Sequence, residues 1–112
     1  MVRNLLFLFI VLFPISSNAQ ELKWIYKIGG TTAEYGNGLA VDVDQNIYDI
    51  TNFMGTVSVA PMVSYSSRGE EDILVRKSTG LGILQWVRQI GGLKQDLAYD
   101  VAVDNDKNVF VI

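Results

Sequence analysis

Cysteine and histidine are both absent from this sequence of 112 residues. Without cysteine, no disulfide can staple the fold, even in the oxidising compartments outside the cytoplasm. Without histidine, no imidazole is present to act as a general base or to ligate a metal ion. Neither a G-x-S-x-G nucleophile motif nor a G-x-x-x-x-G-K-[ST] phosphate loop occurs. The commonest catalytic arrangements are therefore missing.

Clusters of basic residues are also missing. The chain has 9 Lys and Arg against 12 Asp and Glu, which gives a net charge of -3. Non-specific nucleic-acid binding depends on clustered positive charge, so we expect no nucleic-acid partner. Five basic residues are dispersed among apolar positions and form no tract: Lys23, Lys27, Arg76, Lys77 and Arg88.

The first 19 residues have the organisation of a secretory signal. Arg3 supplies the positive charge, an apolar run extends from Leu5 to Ile15, and a small-residue site ends at Ala19. A membrane-spanning helix needs about 20 apolar residues, so a retained anchor is the weaker alternative. No cysteine follows the run, which excludes a lipid-anchored lipoprotein. We expect cleavage after Ala19, a mature chain (20–112) with no transmembrane segment, and a secreted or cell-surface location.

An ungapped repeat with an offset of 62 residues carries most of the information. The string LKWIYKIGG that begins at Leu22 recurs as LQWVRQIGG from Leu84, and the same offset aligns AVD at 40–42 with AVD at 102–104. In total, 11 of 29 aligned positions are identical. We interpret residues 22–83 as one repeat unit and residues 84–112 as the start of a second.

Short strands are predicted throughout the mature chain, and no segment after the signal has helical periodicity. Apolar and polar residues alternate, and β-branched and aromatic residues are frequent. The apolar stretch Val57–Val63 is interrupted by Pro61 and suits an edge or a loop, and the polar run Ser64–Glu71 reads as a loop. The predicted strands are Leu39–Val43, Ile47–Phe53, Asp72–Lys77 and Ile83–Ile90.

Four short antiparallel strands per repeat are the unit of a β-propeller blade. A single sheet of this kind cannot bury both of its faces, so neighbouring blades must cover them. The prediction is an all-β fold of β-propeller-type four-stranded antiparallel blades, with about one and a half blades present. Because propellers have typically 4–8 blades, we expect this incomplete propeller to be the N-terminal part of a longer protein.

These residues resemble the SBBP family of β-propeller repeats, which occur in secreted and surface proteins, mostly bacterial. The matching strings are WIYKIGG, GLAVDVDQNIYDITNF, MGTVSVAP, EEDILVRKSTG and ILQWVRQIGG, followed by DVAVDNDKNVFVI in the second unit. The sequence departs from the family pattern at Gln45 and Lys107, where the family has Gly, and at residues 49–52. The resemblance implies propeller blades and no shared catalytic residues.

A D-x-D-x-N motif occurs once in each unit. It places three oxygen ligands at alternate positions, like the opening of a calcium loop. An EF-hand also needs Gly at its sixth position and Glu at its twelfth, whereas the first unit has Ile47 and Phe53 there. The alternative interpretation is that Asp and Asn shape a hairpin turn through bonds to their own backbone. The residues concerned are Asp42, Asp44, Asn46, Asp104, Asp106 and Asn108.

Two other features admit a functional and a structural interpretation. Trp24 and Trp86 could stack on sugars, but a tryptophan that recurs on an apolar face favours packing between blades. Adjacent Glu70, Glu71 and Asp72 could supply acid–base groups, but a glycosidase needs two opposed carboxylates at a set separation. A solvated rim is the simpler interpretation.

Taken together, the residues predict a non-enzymatic structural or recognition scaffold with no cofactor. Its expected partners are neighbouring blades of the same protein and an extracellular protein or glycan ligand. The alternative is the N-terminal part of an extracellular propeller-containing enzyme, such as a glycan hydrolase or lyase, whose active site lies in downstream sequence. Uncovered sheet edges would make the chain association-prone on its own.

Overall fold

The computed structural model describes residues 23–25 and 27–112, so the predicted signal peptide lies outside the described residues. This part of the chain contains no helix and therefore no helix that could cross a membrane. The all-β prediction is confirmed. The strands are β1 (Gly29–Gly30), β2 (Glu34–Val41), β3 (Ile47–Phe53), β4 (Thr56–Ala60), β5 (Val63–Ser66), β6 (Asp72–Ser78), β7 (Leu84–Ile90), β8 (Val101–Val103) and β9 (Val109–Val111).

The largest element, called here the main sheet, has four antiparallel strands in the order β2-β3-β6-β7. All four strands predicted from the sequence are present in it. β2 starts at Glu34, before the predicted Leu39, and carries a bulge at Asn37 between the pairs Gly36–Thr51 and Gly38–Ile50. The bulge turns the Asn37 side chain out of the ladder, where it contacts a later loop.

A second, small sheet has the order β1-β4-β5 and corrects two sequence predictions. The stretch Val57–Val63 was expected at an edge or in a loop, yet β4 is the central strand of this sheet, and Pro61 lies just after its end. The run Ser64–Glu71 was expected to be a loop, yet it contributes most of β5. The central position of β4 depends on pairing with the distant Gly29–Gly30, whereas its other partner is β5, which follows it directly in the chain.

The third element is a C-terminal hairpin of β8 and β9, joined by the second D-x-D-x-N turn. It packs on one side of the main sheet, where β8 contacts β2 and β3. The small sheet packs on the opposite side. The three sheets are layered and open, and none of them closes into a barrel or ring.

Two apolar cores lie on the two sides of the main sheet. The small-sheet side is closed by packing of Phe53, Leu74 and Val87 against Val57 and Val59. The hairpin side joins main-sheet residues to the residues that follow β7, and Ala40, Trp86, Val103, Val109 and Val111 pack around this core. Its buried members are Tyr48, Ile50, Ile73, Val75, Ala98 and Val101.

Candidate functional site

The two D-x-D-x-N segments form nearly identical turns at equivalent positions. In the first, Asp42 Oδ1 accepts hydrogen bonds from the backbone N–H groups of Asp44 and Asn46, both at 2.9 Å. In the second, Asp104 Oδ1 accepts from Asp106 N–H at 2.9 Å and from Asn108 N–H at 2.8 Å. The 62-residue repeat is therefore a repeat of conformation as well as of sequence.

The residue before each asparagine has a left-handed backbone conformation. The φ angle is 64° at Gln45 and 65° at Lys107. Left-handed φ is favourable for glycine and unusual for residues with a Cβ. This chain holds the same geometry with longer side chains, and the hydrogen bonds to Asp42 and Asp104 stabilise it.

One substitution between the repeats changes the electrostatics of the turns. Tyr48 donates its hydroxyl to Asp42 Oδ2 at 3.0 Å, but the equivalent residue of the second unit is Phe110, which has no hydroxyl. Burial by itself raises the pKa of Asp42. The hydrogen bonds from Asn46, Tyr48 and Asp44 outweigh burial and lower this pKa from 3.8 to about 2. The pKa of Asp104 is also lowered, first of all by Asn108.

These contacts favour the turn interpretation of the motif over the calcium interpretation. Both Asp42 oxygens are engaged, because Oδ2 also accepts from Asn46 Nδ2 at 2.9 Å. Asp44 forms an ion pair with Lys107, which raises the pKa of the lysine. Across residues 23–25 and 27–112, no three acidic side chains are grouped around a point that could hold a metal ion. Calcium binding stays a prediction to be tested by titration.

The Asp44–Lys107 pair links the turn of one unit to the turn of the next. It lies at one end of a packed interface in which the hairpin covers the main sheet. The hairpin residues on the covered side correspond, by the offset of 62, to residues of β2 and β3. The most deeply covered of them is Val101, which is 4% exposed. These covered residues are Val101, Val103, Val109 and Val111, and their equivalents are Leu39, Val41, Ile47 and Asp49.

Asn52 secures this interface through its side-chain amide. Its Oδ1 accepts from Ala98 N–H and its Nδ2 donates to Ala98 O, both at 3.0 Å. Asn37, on the bulge of β2, donates to the same carbonyl at 2.8 Å. Asn52 is 3% exposed, so these bonds satisfy polar groups that water does not reach. Sequence reasoning recorded Asn52 only as a departure from the family pattern.

A buried ion pair lies on the small-sheet side of the main sheet. Asp49 and Arg76 are direct cross-strand neighbours. Arg76 Nε donates to Asp49 Oδ2 at 3.1 Å, and Nη2 donates to both carboxylate oxygens at 2.9 Å. The side chain of Arg76 is only 5% exposed and that of Asp49 only 12%. Sequence reasoning missed this pair, because the two residues are 27 positions apart.

The remaining candidate residues have structural surroundings. Trp86 lies in β7 with its ring edge-on to Tyr48 of the same main sheet, at a centroid distance of 6.1 Å, so this contact is packing within one sheet and not between blades. Trp24 lies outside the strands and donates its indole N–H to Gly80 O at 3.0 Å, so the two tryptophans share a sequence position but not an environment. The solvated-rim interpretation is wrong for Asp72, which is fully buried and accepts from Arg68 N–H, whereas Glu70 is exposed.

Comparison with protein-family models, with curated proteins and with solved structures gave no match to this chain. The resemblance to SBBP repeats therefore stays a prediction.

Proposed function

We propose that this chain is a non-enzymatic, secreted or cell-surface scaffold of β-propeller-type blades. In this proposal the main sheet is one blade and the hairpin is the beginning of the next. The observation that carries it is how the two units pack. The covered side of the hairpin corresponds, by the repeat, to the small-sheet side of the main sheet, and it lies against the opposite side of the main sheet. Stacking with this polarity can continue from unit to unit.

The chemistry of the described residues supports a structural role. The acidic motif shapes turns, the buried Asn52 amide joins two units, and the buried Asp49–Arg76 pair is internally neutralised. Several polar groups that the sequence offers as candidates hold backbone or a neighbouring side chain: Asp42, Asp44, Asp104 and Asn108. The partner that this geometry fits best is another unit of the same kind.

A substitution in the interface tests the proposal. We expect Val101→Asn to destabilise the main sheet, because Val101 is buried in the core shared by both units. Introducing a polar group there without a hydrogen-bond partner costs about 1–3 kcal/mol. The measurement is thermal unfolding followed by circular dichroism at low protein concentration.

Ala102→Asn is the matched control, because Ala102 is the next residue on β8 but points away from the main sheet and is exposed. The proposal predicts one cooperative transition that shifts down in Val101→Asn and hardly moves in Ala102→Asn. Equal melting of the two variants would show that the hairpin and the main sheet do not form one packed unit.

A further inference from the structure

Two apolar surfaces of the described chain remain uncovered. Each corresponds, by the repeat, to one half of an interface that the chain already contains. On the small-sheet side of the main sheet, Leu39 is 64% exposed and Val41 is 53% exposed. On the outer side of the hairpin, Phe110 is 53% exposed and Ile112 is 67% exposed. Single exposed apolar residues are ordinary, but these four lie in two groups, and their repeat equivalents belong to the covered internal interface.

The offset of 62 residues shows what each surface is made for. Leu39 and Val41 correspond to Val101 and Val103, which are covered by the main sheet in the internal interface. Phe110 and Ile112 correspond to Tyr48 and Ile50, which are each 1% exposed and supply the other half of that interface. The two surfaces are therefore complementary: Leu39 and Val41 repeat part of the hairpin half of the internal interface, and Phe110 and Ile112 repeat part of the main-sheet half.

We infer that two copies of this chain associate head to tail, with the Phe110–Ile112 surface of one copy on the Leu39–Val41 surface of the other. The inference rests on the unit-on-unit packing of the proposed function and extends it to contacts between chains. A groove of about 530 Å³ lined by Leu39, Asp49, Thr51 and Arg76 adjoins the receiving surface. This groove offers room for the aromatic ring of Phe110.

Because the two surfaces differ, the contact is heterologous. Each copy that has joined another through one surface still presents the second surface, so assembly continues into a ring or an open filament. This distinguishes the inference from pairing of sheet edges, which depends on backbone groups and is indifferent to these side chains.

The internal interface also predicts a variant that should associate more tightly. Inside the chain, Lys107 of the second turn pairs with Asp44 of the first. Between copies, the residue in the position of Lys107 is Gln45, and the residue in the position of Asp44 is Asp106. Gln45 and Lys107 have φ angles of 64° and 65°, so lysine fits the turn. Gln45→Lys would restore the missing ion pair across the contact.

The test measures self-association of the purified chain by sedimentation velocity over a range of concentrations. Leu39→Lys and Phe110→Lys each block one surface, and burial of a large apolar side chain is worth enough that each should weaken association at least about tenfold. Met62→Lys is the control, because Met62 is fully exposed in the turn after β4 and belongs to neither surface.

Mixing the variants tests the polarity. An equimolar mixture of Leu39→Lys and Phe110→Lys retains one intact surface on each partner, so it should form a one-to-one complex that grows no further. Gln45→Lys should associate about two- to five-fold more tightly at low salt, as expected for an exposed ion pair, and Asp106→Asn should remove that gain.

A wild-type chain that stays monomeric, single variants that associate like wild type, or a mixture that forms no complex would each overturn the inference. The Val101→Asn melt described above reads unit packing within one chain and does not depend on concentration. If Val101→Asn lowers the melting temperature as expected but the copies do not associate, only the head-to-tail contact is refuted.

Discussion

The buried Asp49–Arg76 pair offers the sharpest test of how the main sheet is stabilised. Three hydrogen bonds of 2.9–3.1 Å join the two side chains, whose exposed fractions of 12% and 5% leave little access for water. Removing one partner leaves the other charge buried, which costs about 3–5 kcal/mol. We therefore expect Arg76→Met and Asp49→Val each to lower the free energy of unfolding by about that amount.

The double variant should behave differently, because replacing both members of a buried ion pair by apolar residues is often neutral or stabilising. The chain itself supports valine at this position, since the equivalent of Asp49 in the second unit is Val111, which packs against an apolar core. We expect Asp49→Val combined with Arg76→Met to unfold within about 1 kcal/mol of wild type. The coupling free energy between the two positions would then exceed about 3 kcal/mol.

The assay is equilibrium unfolding in urea, followed by tryptophan fluorescence and circular dichroism. A single variant without a folded baseline counts as a loss of at least the wild-type free energy of unfolding. Single variants within about 0.5 kcal/mol of wild type, the size typical of neutral surface substitutions, would refute the reasoning. So would a double variant whose loss equals the sum of the two single losses.

Further predictions concern the turns, the unit interface and export. The hydrogen bonds that hold the Asp42 pKa near 2 contribute stability that is complete above pH 4 and is lost as the pH falls towards 2. The melting temperatures of wild type and Asp42→Asn should therefore converge between pH 4 and pH 2. Melting temperatures that stay equally far apart over this range would contradict the role of the carboxylate. Asn52→Ala should lower the free energy of unfolding by about 1–3 kcal/mol, because it leaves both backbone groups of Ala98 buried without their partner, and an unchanged urea midpoint would exclude the clamp. If calcium binds the turns, the melting temperature should rise with calcium and the rise should vanish in Asp44→Ala plus Asp106→Ala; no rise in wild type removes the calcium interpretation. Deletion of residues 1–19 should keep the product in the cytoplasm, and continued export without them would contradict the signal-peptide prediction.

Local patterns in the sequence were sufficient for the elements that depend on neighbouring residues. Each D-x-D-x-N turn is built from bonds within five consecutive residues, such as those from Asp44 and Asn46 to Asp42. The four main-sheet strands were also predictable: Leu39–Val43 alternates apolar and polar residues, and Ile47–Phe53 is rich in β-branched and aromatic residues. The repeat added the equivalence of the two turns, which the structure confirms.

Sequence patterns failed in the small sheet, which combines one long-range pairing with one polar hairpin. β4 pairs with Gly29–Gly30, and β5 is a polar edge strand whose backbone bonds do not require apolar side chains. Composition therefore pointed to a loop where the structure has a hairpin.

Which side of a strand is covered shows most clearly what the sequence determines and what only the tertiary structure decides. The repeat showed that Leu39 and Val101 occupy the same position in two copies of a motif. It could not show that Val101 is 4% exposed while Leu39 is 64% exposed, because burial depends on which distant surface lies against a strand. The amino-acid order thus determined the repeat, the turns and the strand faces. The tertiary fold decided which face was covered, since apolar burial and buried charge pairing arise only when distant segments meet.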